Sequence, residues 1–346
     1  MVTRRWHASQ SRARHRRTDL IAHQPASPHE AGWCSSPNSL IALFAPVSQF
    51  KTTMDTKTLI RADELRSMIG SGQPLVVIDT RAPEEYAAGH IPGAVNMREI
   101  FSFLSTSTSE GLEEMAGMFA KLLGEAGLGG DECAVIYEDA MNTGFGQSCR
   151  GYFLLKYLGY DNVSILHGGL MAWTKDGGEL SMDVPTPMPK TFPLMVRPEM
   201  LLTTPQMLDS LEHPEVVKLD VRDKVEWLAE SSSPYGVDFA PRKGRIPDAV
   251  LVEWYSLMDK NGEVPMFKSA EEIRDIVSKV GITPETPVNI YCFKGARASN
   301  TFVALAEAGI KDTKIYFASW NEWSRDPMLP IEEGAPDPMR PAIFGA

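Results

Sequence analysis

Residues 288–299 read Val-Asn-Ile-Tyr-Cys-Phe-Lys-Gly-Ala-Arg-Ala-Ser. An apolar run ends at Tyr291, a cysteine follows at once, and Lys294, Gly295 and Arg297 stand just beyond it. A strand leading through a tight loop into a helix would set the Cys292 thiol beside loop N–H groups and the positive end of that helix. Both favour the thiolate. Lys294 and Arg297 add positive charge, and Gly295 lets the backbone turn where a Cβ would obstruct it. One loop is then both a nucleophile and an anion cradle. Cys292 is the candidate catalytic residue, and Phe293, Lys294, Gly295, Ala296 and Arg297 are the candidate substrate-binding loop.

The elements that must hold this loop occur twice. Val76-Val77-Ile78-Asp79-Thr80-Arg81 is echoed by Val217-Lys218-Leu219-Asp220-Val221-Arg222, and Gly89-His90-Ile91-Pro92 by Gly244-Arg245-Ile246-Pro247. Between these motifs the second copy carries a 14-residue insertion containing Ser231-Ser232-Ser233-Pro234, a loop composition. Ala134–Tyr137 matches Val288–Tyr291 as a buried strand. The helical stretches Tyr152–Leu158 and Phe302–Ala308 each end at a glycine, a common C-cap. Val163–Leu166 matches Thr313–Tyr316, and Trp173 matches Trp323. Strands alternating with helices predict an α/β fold whose sheets are mostly parallel and flanked by helices. The expected organisation is one domain over 57–180, a Pro-rich linker over 181–198, and a second domain over 199–334. In such sheets ligands bind beyond the carboxyl ends of the strands, where Cys292 lies.

The first copy has Glu138-Asp139 where the second has Cys292-Phe293. That loop cannot do thiol chemistry, and its expected role is to pack against the active half and wall the cleft. Asp220 and Arg222 read as a structural pair that shapes the active loop, with Asp79 and Arg81 as their copy. Cys133 and Cys149 lack a basic glycine loop and read as core, as do Trp320 and Trp323. Glu322 reads as a local ion-pair partner and His90 as a structural hydrogen-bonding group.

Composition sets the outer limits. The 346 residues carry 34 Lys+Arg against 45 Asp+Glu, a net charge of −11, which argues against nucleic-acid binding. None of the four cysteines has CxxC spacing, so no metal site is expected. The longest apolar stretch falls short of the roughly 20 residues of a membrane span. Residues 1–53, arginine-rich and without sustained periodicity, are set apart as an N-terminal extension outside the fold. Three readings compete for it: an over-extended start ahead of Met54, an organellar transit peptide, and a secretory signal. The first implies a cytoplasmic protein, the others an organellar or exported one.

The chain resembles a two-domain rhodanese, a thiosulfate or 3-mercaptopyruvate sulfurtransferase. The motifs that carry the resemblance are Asp79-Thr80-Arg81 and Gly89-His90-Ile91-Pro92-Gly93-Ala94 in the first half. In the second they are Cys292-Phe293-Lys294-Gly295-Ala296-Arg297-Ala298 and Ser319-Trp320-Asn321-Glu322-Trp323. The resemblance implies two tandem rhodanese-like domains, the first non-catalytic. It also implies sulfur transfer by double displacement through a Cys292 persulfide, without cofactor or metal. The implied partners are a small sulfur donor and a thiophilic acceptor (cyanide, a thiol or a protein cysteine), and a monomer is expected. Loops of the form Cys-Arg-Lys-Gly accompany thiosulfate in the family. Keeping Lys294 therefore favours thiosulfate over mercaptopyruvate.

Beside Phe293, which replaces the first base of that loop, three positions depart from the family pattern. Glu226 stands where a substrate-binding arginine is usual, Arg297 where threonine is common, and Arg245 replaces the histidine of Gly-His-Ile-Pro. Arg245, with Arg242 and Lys243, is the candidate source of the missing charge. Two other readings are a cysteine-dependent phosphatase or arsenate reductase and a non-catalytic binding module. The phosphatase design needs five residues between cysteine and arginine, and here four intervene.

Overall fold

The computed structural model describes residues 57–259 and 262–345, and the expectation for residues 1–53 falls outside them. The apolar runs of the first half form strands β1 (Leu59–Ile60), β2 (Leu75–Asp79), β3 (Val95–Asn96), β4 (Cys133–Tyr137) and β5 (Val163–Leu166). They make one parallel sheet in the order β1-β5-β4-β2-β3. Those of the second half form β6 (Val217–Asp220), β7 (Val250–Val252), β10 (Val288–Tyr291), β11 (Thr313–Ile315) and β12 (Ala342–Ile343). They are again all parallel, in the order β11-β10-β6-β7-β12. A short antiparallel hairpin, β8 (Met258–Asp259) and β9 (Met266–Phe267), lies between β7 and β10. The interior strands β4 and β10 are buried at every position, as near-continuous apolar runs must be when helices cover both faces.

Helices fill the crossovers. In the first half they are α1 (Ala62–Ser71), α2 (Pro83–Ala88), α3 (Glu99–Ser102), α4 (Ser109–Glu125), α5 (Gln147–Tyr157) and α6 (Gly169–Lys175). In the second they are α7 (Thr204–Asp209), α8 (Lys224–Trp227), α9 (Ala270–Ser278), α10 (Ala296–Glu307) and α11 (Ser319–Trp323). Residue chemistry sets several of their starts. Thr108 caps α4 by accepting from the Gly111 N–H, and Ser269 with Glu272 closes a capping box on α9. α9 then buries Ile273 and Val277, four residues apart on one face, and keeps Glu271 exposed.

The symmetry of the sequence is also a symmetry in space. In the first half, Arg81 pairs with Asp79 (Nη2–Oδ2 2.6 Å) and donates to the Gly89 carbonyl at 2.8 Å. The Tyr137 hydroxyl donates to the same carboxylate at 2.6 Å. In the second half, Arg222 pairs with Asp220 at 2.7 Å and reaches the Gly244 carbonyl at 2.8 Å, and the Tyr291 hydroxyl meets Asp220 at 2.7 Å. The first constellation ties the end of β2 to the end of β4, and the second ties the end of β6 to the end of β10. Asp220 and Arg222 are thereby bonded to each other at the strand end that precedes the insertion.

The two halves share one core. α5 packs on α10, and both are buried on nearly every face. The Phe153 ring meets Phe302 edge-on at 5.3 Å and stacks on Phe317 at 5.6 Å. At the crossing a Cβ on Gly146 would lie 2.7 Å from the Ala296 carbonyl oxygen, so only glycine lets the chains approach this closely. Among the described residues Glu322 has no ion-pair partner, contrary to expectation. Its carboxylate accepts from Ser107 N–H and hydroxyl, from Thr204 and from Tyr316, and so latches one half to the other. The second domain also runs past residue 334. β12 adds an edge strand beside β7 for which the first half has no equivalent, so the internal repeat did not reveal it.

Candidate active site

β10 ends at Tyr291, and the loop 292–295 turns into α10 with Gly295 as its N-cap residue at φ 89°. The Gly295 N–H points at Cys292 Sγ, 3.1 Å away. Elements further along the chain brace the loop. The first amides of α11, Trp320 and Asn321, donate to the carbonyls of Cys292 and Phe293 at 3.0 Å each. Those amides have no partner within their own helix, so the bonds satisfy both sides. The Ser319 hydroxyl accepts from the Cys292 N–H at 3.1 Å and donates to the Tyr316 carbonyl at 2.7 Å. Ser319 holds φ 56°, a strained value for a residue with a Cβ, and the bonds around it offset that cost.

Cys292 is only 1% exposed and lies at the base of a pocket of about 170 Å³. The second half lines the pocket with the loop residues Phe293, Lys294, Ala296 and Arg297 and, from the insertion, with Pro234 and Tyr235. The first half contributes Phe101 and Phe145. Phe145 belongs to the degenerate loop, so that loop does wall the cleft. The walls are largely apolar, with Tyr235 packed on Phe293 at 4.9 Å. Nothing in the sequence flagged Phe101, Phe145, Pro234 or Tyr235 as pocket residues. Two aromatic residues in a Ser/Pro-rich loop, Tyr235 and Phe239, were the one available signal.

The cations divide into two kinds. The Lys294 ammonium sits 3.7 Å from the Phe101 ring centre and 5.1 Å from that of Tyr235. Burial, and then the guanidiniums of Arg150 and Arg98, push its pKa down to about 7. Arg297, expected to contact substrate, is instead turned onto carboxylates. Its guanidinium meets Glu226 at 2.6 and 3.2 Å and Asp223 at 3.1 Å. Burial alone would lower its pKa, but those carboxylates hold it well above the usual value. The two departures at 226 and 297 are thus one feature, an internal ion pair at the pocket edge.

Arg245 is not at the pocket. It is buried, donates to the Trp227 and Gly334 carbonyls, pairs with Glu332 and stacks on Trp227, so it anchors the C-terminal segment. Arg242 likewise binds the carbonyls of Trp323, Ser324, Asp326 and Leu329, and Lys243 that of Glu230. Charge in the insertion is therefore consumed by backbone, while its aromatic residue reaches the cleft.

The corresponding loop of the first half is closed by its own side chain. The Glu138 carboxylate accepts from the Ser148 hydroxyl at 2.6 Å and the Gln147 N–H at 3.1 Å. It fills the cradle that stands open over Cys292. Burial raises its pKa to about 7. Cys133 and Cys149 are buried in the core, as expected. Burial pushes the Cys133 thiol up to about 11 and that of Cys149 well above its usual value. His90 bonds the Tyr86 and Asp183 carbonyls through its two ring nitrogens.

Two stretches of the chain, 61–176 and 203–326, each match the family model of the rhodanese-like domain. The thiosulfate sulfurtransferase of Pseudomonas aeruginosa is 28% identical over 80% of this chain and 98% of its own length. The 3-mercaptopyruvate sulfurtransferase of Escherichia coli K12 is 27% identical over 73% of this chain and 87% of its own. Among solved structures, a variant of EanB with ergothioneine covalently linked to a cysteine persulfide superposes with a TM-score of 0.70. It is 25% identical and covers 81% of this chain and 71% of that one.

Proposed function

This chain belongs to the rhodanese family and is a sulfurtransferase, and from that premise we propose that Cys292 carries sulfane sulfur from thiosulfate to a thiophilic acceptor. The observation that carries this reading is the Gly295 N–H aimed at Cys292 Sγ on the floor of a pocket that also holds the Lys294 ammonium. The thiolate attacks the outer sulfur of thiosulfate. The S–S bond of the donor breaks, sulfite leaves with the electron pair, and Cys292 becomes a persulfide anion. The loop amide and the helix N-terminus stabilise that anion as they do the thiolate. An acceptor such as cyanide then attacks the terminal sulfur, thiocyanate leaves, and the thiolate returns. The persulfide cysteine of EanB supports the covalent intermediate.

Lys294 supports thiosulfate over mercaptopyruvate, because its ammonium complements the sulfonate end of the donor. Arg297 gives no such support, since Glu226 and Asp223 neutralise it. The same pairing weighs against a phosphatase, which needs that arginine turned toward the anion. Thiocyanate formation should be faster from thiosulfate than from mercaptopyruvate at equal concentration. The reverse order would reassign the donor, and phosphate release from an aryl phosphate without sulfur transfer would replace the reading.

Lys294 also makes donor binding depend on pH. Its charge is present below about pH 7 and lost above it. The KM for thiosulfate, which stays anionic throughout, is expected to rise about fivefold or more from pH 6 to 8.5. Lys294→Arg should flatten that rise, because a guanidinium keeps its proton. A KM that climbs equally in the arginine variant would contradict the assignment.

A further inference from the structure

We propose that Arg150, a residue of the half that has no nucleophile, is the buried counter-charge of the Cys292 thiolate and persulfide. The proposal rests on Cys292 being the sulfur-carrying residue. Arg150 lies on α5 and is fully buried. Its guanidinium donates to the Ile100 and Phe101 carbonyls at 2.7 and 2.9 Å and to that of Phe103 at 2.7 Å. Its Nε has no hydrogen-bond partner among the described residues. Carbonyls orient a cation but do not neutralise it.

The other buried arginines among the described residues all have carboxylates: Arg81 with Asp79, Arg222 with Asp220, Arg245 with Glu332 and Arg297 with Glu226. Arg150 has none within ion-pair distance among the described residues. An unpaired buried charge is costly, so a chain that keeps one needs an anion nearby.

The surroundings point to which anion. The guanidinium lies 4.6 Å from the centre of the Phe317 ring. Phe317 also presses on the nucleophile loop, where a Cβ on Gly295 would be 2.8 Å from the ring. One apolar ring thus touches both the cation and the loop, and charges interact strongly in such surroundings. Burial lowers the pKa of Arg150 to about 10, which leaves it charged at neutral pH, and negative charge on Cys292 is the largest influence opposing that fall. The remaining charged groups of the cleft do not substitute for it. Lys294 titrates near neutrality, and Arg297 is neutralised by Glu226 and Asp223. Half-buried Arg98 is bonded to Gln147 and to the Thr80 carbonyl. Beside Glu226 and Asp223, which face Arg297, the nearby acidic groups are the Tyr235 hydroxyl, whose pKa burial raises, and Glu138, which burial raises to about 7. Arg150 also fixes the segment bearing Phe101, on which Lys294 rests. It is a positioning residue that works through charge, and it makes the first half part of the chemistry.

The test is the rate at which Cys292 is alkylated by anionic iodoacetate relative to neutral iodoacetamide in the full-length protein. Both reagents need the same thiolate, so their ratio cancels its amount and accessibility and reports the local potential. In Arg150→Gln the iodoacetate/iodoacetamide ratio should fall about fivefold or more, and in Arg150→Lys it should stay within about twofold of the parent. A ratio unchanged in Arg150→Gln would overturn the proposal. If the glutamine variant does not fold, the lysine variant decides. A ratio retained despite a lower Tm supports the role of charge, and a ratio that collapses with the Tm assigns Arg150 to packing. Absence of any alkylation of Cys292 in the parent protein would instead remove the functional reading on which this rests.

Discussion

Cys292→Ser is expected to lower thiocyanate formation from thiosulfate and cyanide by more than about a thousandfold. A hydroxyl in the same place is not ionised near neutral pH, and it cannot form a persulfide. The loop should survive the change, because its bracing bonds use the backbone of residues 292 and 293 and the amides and hydroxyl of α11 rather than the sulfur. Thermal unfolding of the serine variant should therefore track the parent. Cys133→Ala and Cys149→Ala are the controls. Their thiols are buried and held protonated, so turnover of correctly folded protein should persist. Loss of turnover in either control with Cys292 intact, or retention of turnover in Cys292→Ser, would move the nucleophile elsewhere.

The second large effect concerns stability. Glu226→Ala removes the main partner of a guanidinium that is only 5% exposed. An ion stranded in this way costs about 3 to 5 kcal/mol, with Asp223 softening the loss toward the lower figure. Urea unfolding should show a midpoint shift of that size with an unchanged slope. Glu226→Arg should be worse, because it sets like charges together. Combined with Arg297→Thr, which removes one of those charges, it should recover most of the loss, since residues in direct contact do not behave additively. Additive effects in the double variant would show that Glu226 and Arg297 are not an energetic pair.

What the sequence disclosed, and what it hid, follows from the range of the interactions involved. The repeated Asp-x-Arg and Gly-x-Ile-Pro motifs lie at strand ends whose surroundings are duplicated, so both sheets and the loop bearing Cys292 could be read from local pattern. The direction of a long side chain could not. Arg297 stands one turn from the nucleophile in sequence, yet its carboxylate is 71 residues away on α8. Arg242 and Arg245 looked like spare positive charge in a loop near the site. They are instead spent on carbonyls and on Glu332, which only the return of the C-terminal segment brings within reach. The pocket walls were hidden for the same reason. Phe101 and Phe145 lie about 150 residues or more before Cys292 in the chain, and they reach it because α5 and α10 pack against each other. Glu322, placed in a motif of its own half, finds its partners in Ser107 and Thr204, so a local reading took a latch between halves for an ion pair.

Sulfur transfer by double displacement passes through one covalent adduct. Intact-mass and peptide analysis after brief exposure to thiosulfate, without acceptor, tests it most directly. A gain of about 32 Da, one sulfur atom, is expected, confined to the peptide bearing Cys292 and discharged by cyanide. A protein that turns over thiosulfate with no such gain, or with the gain on Cys133 or Cys149, would contradict it.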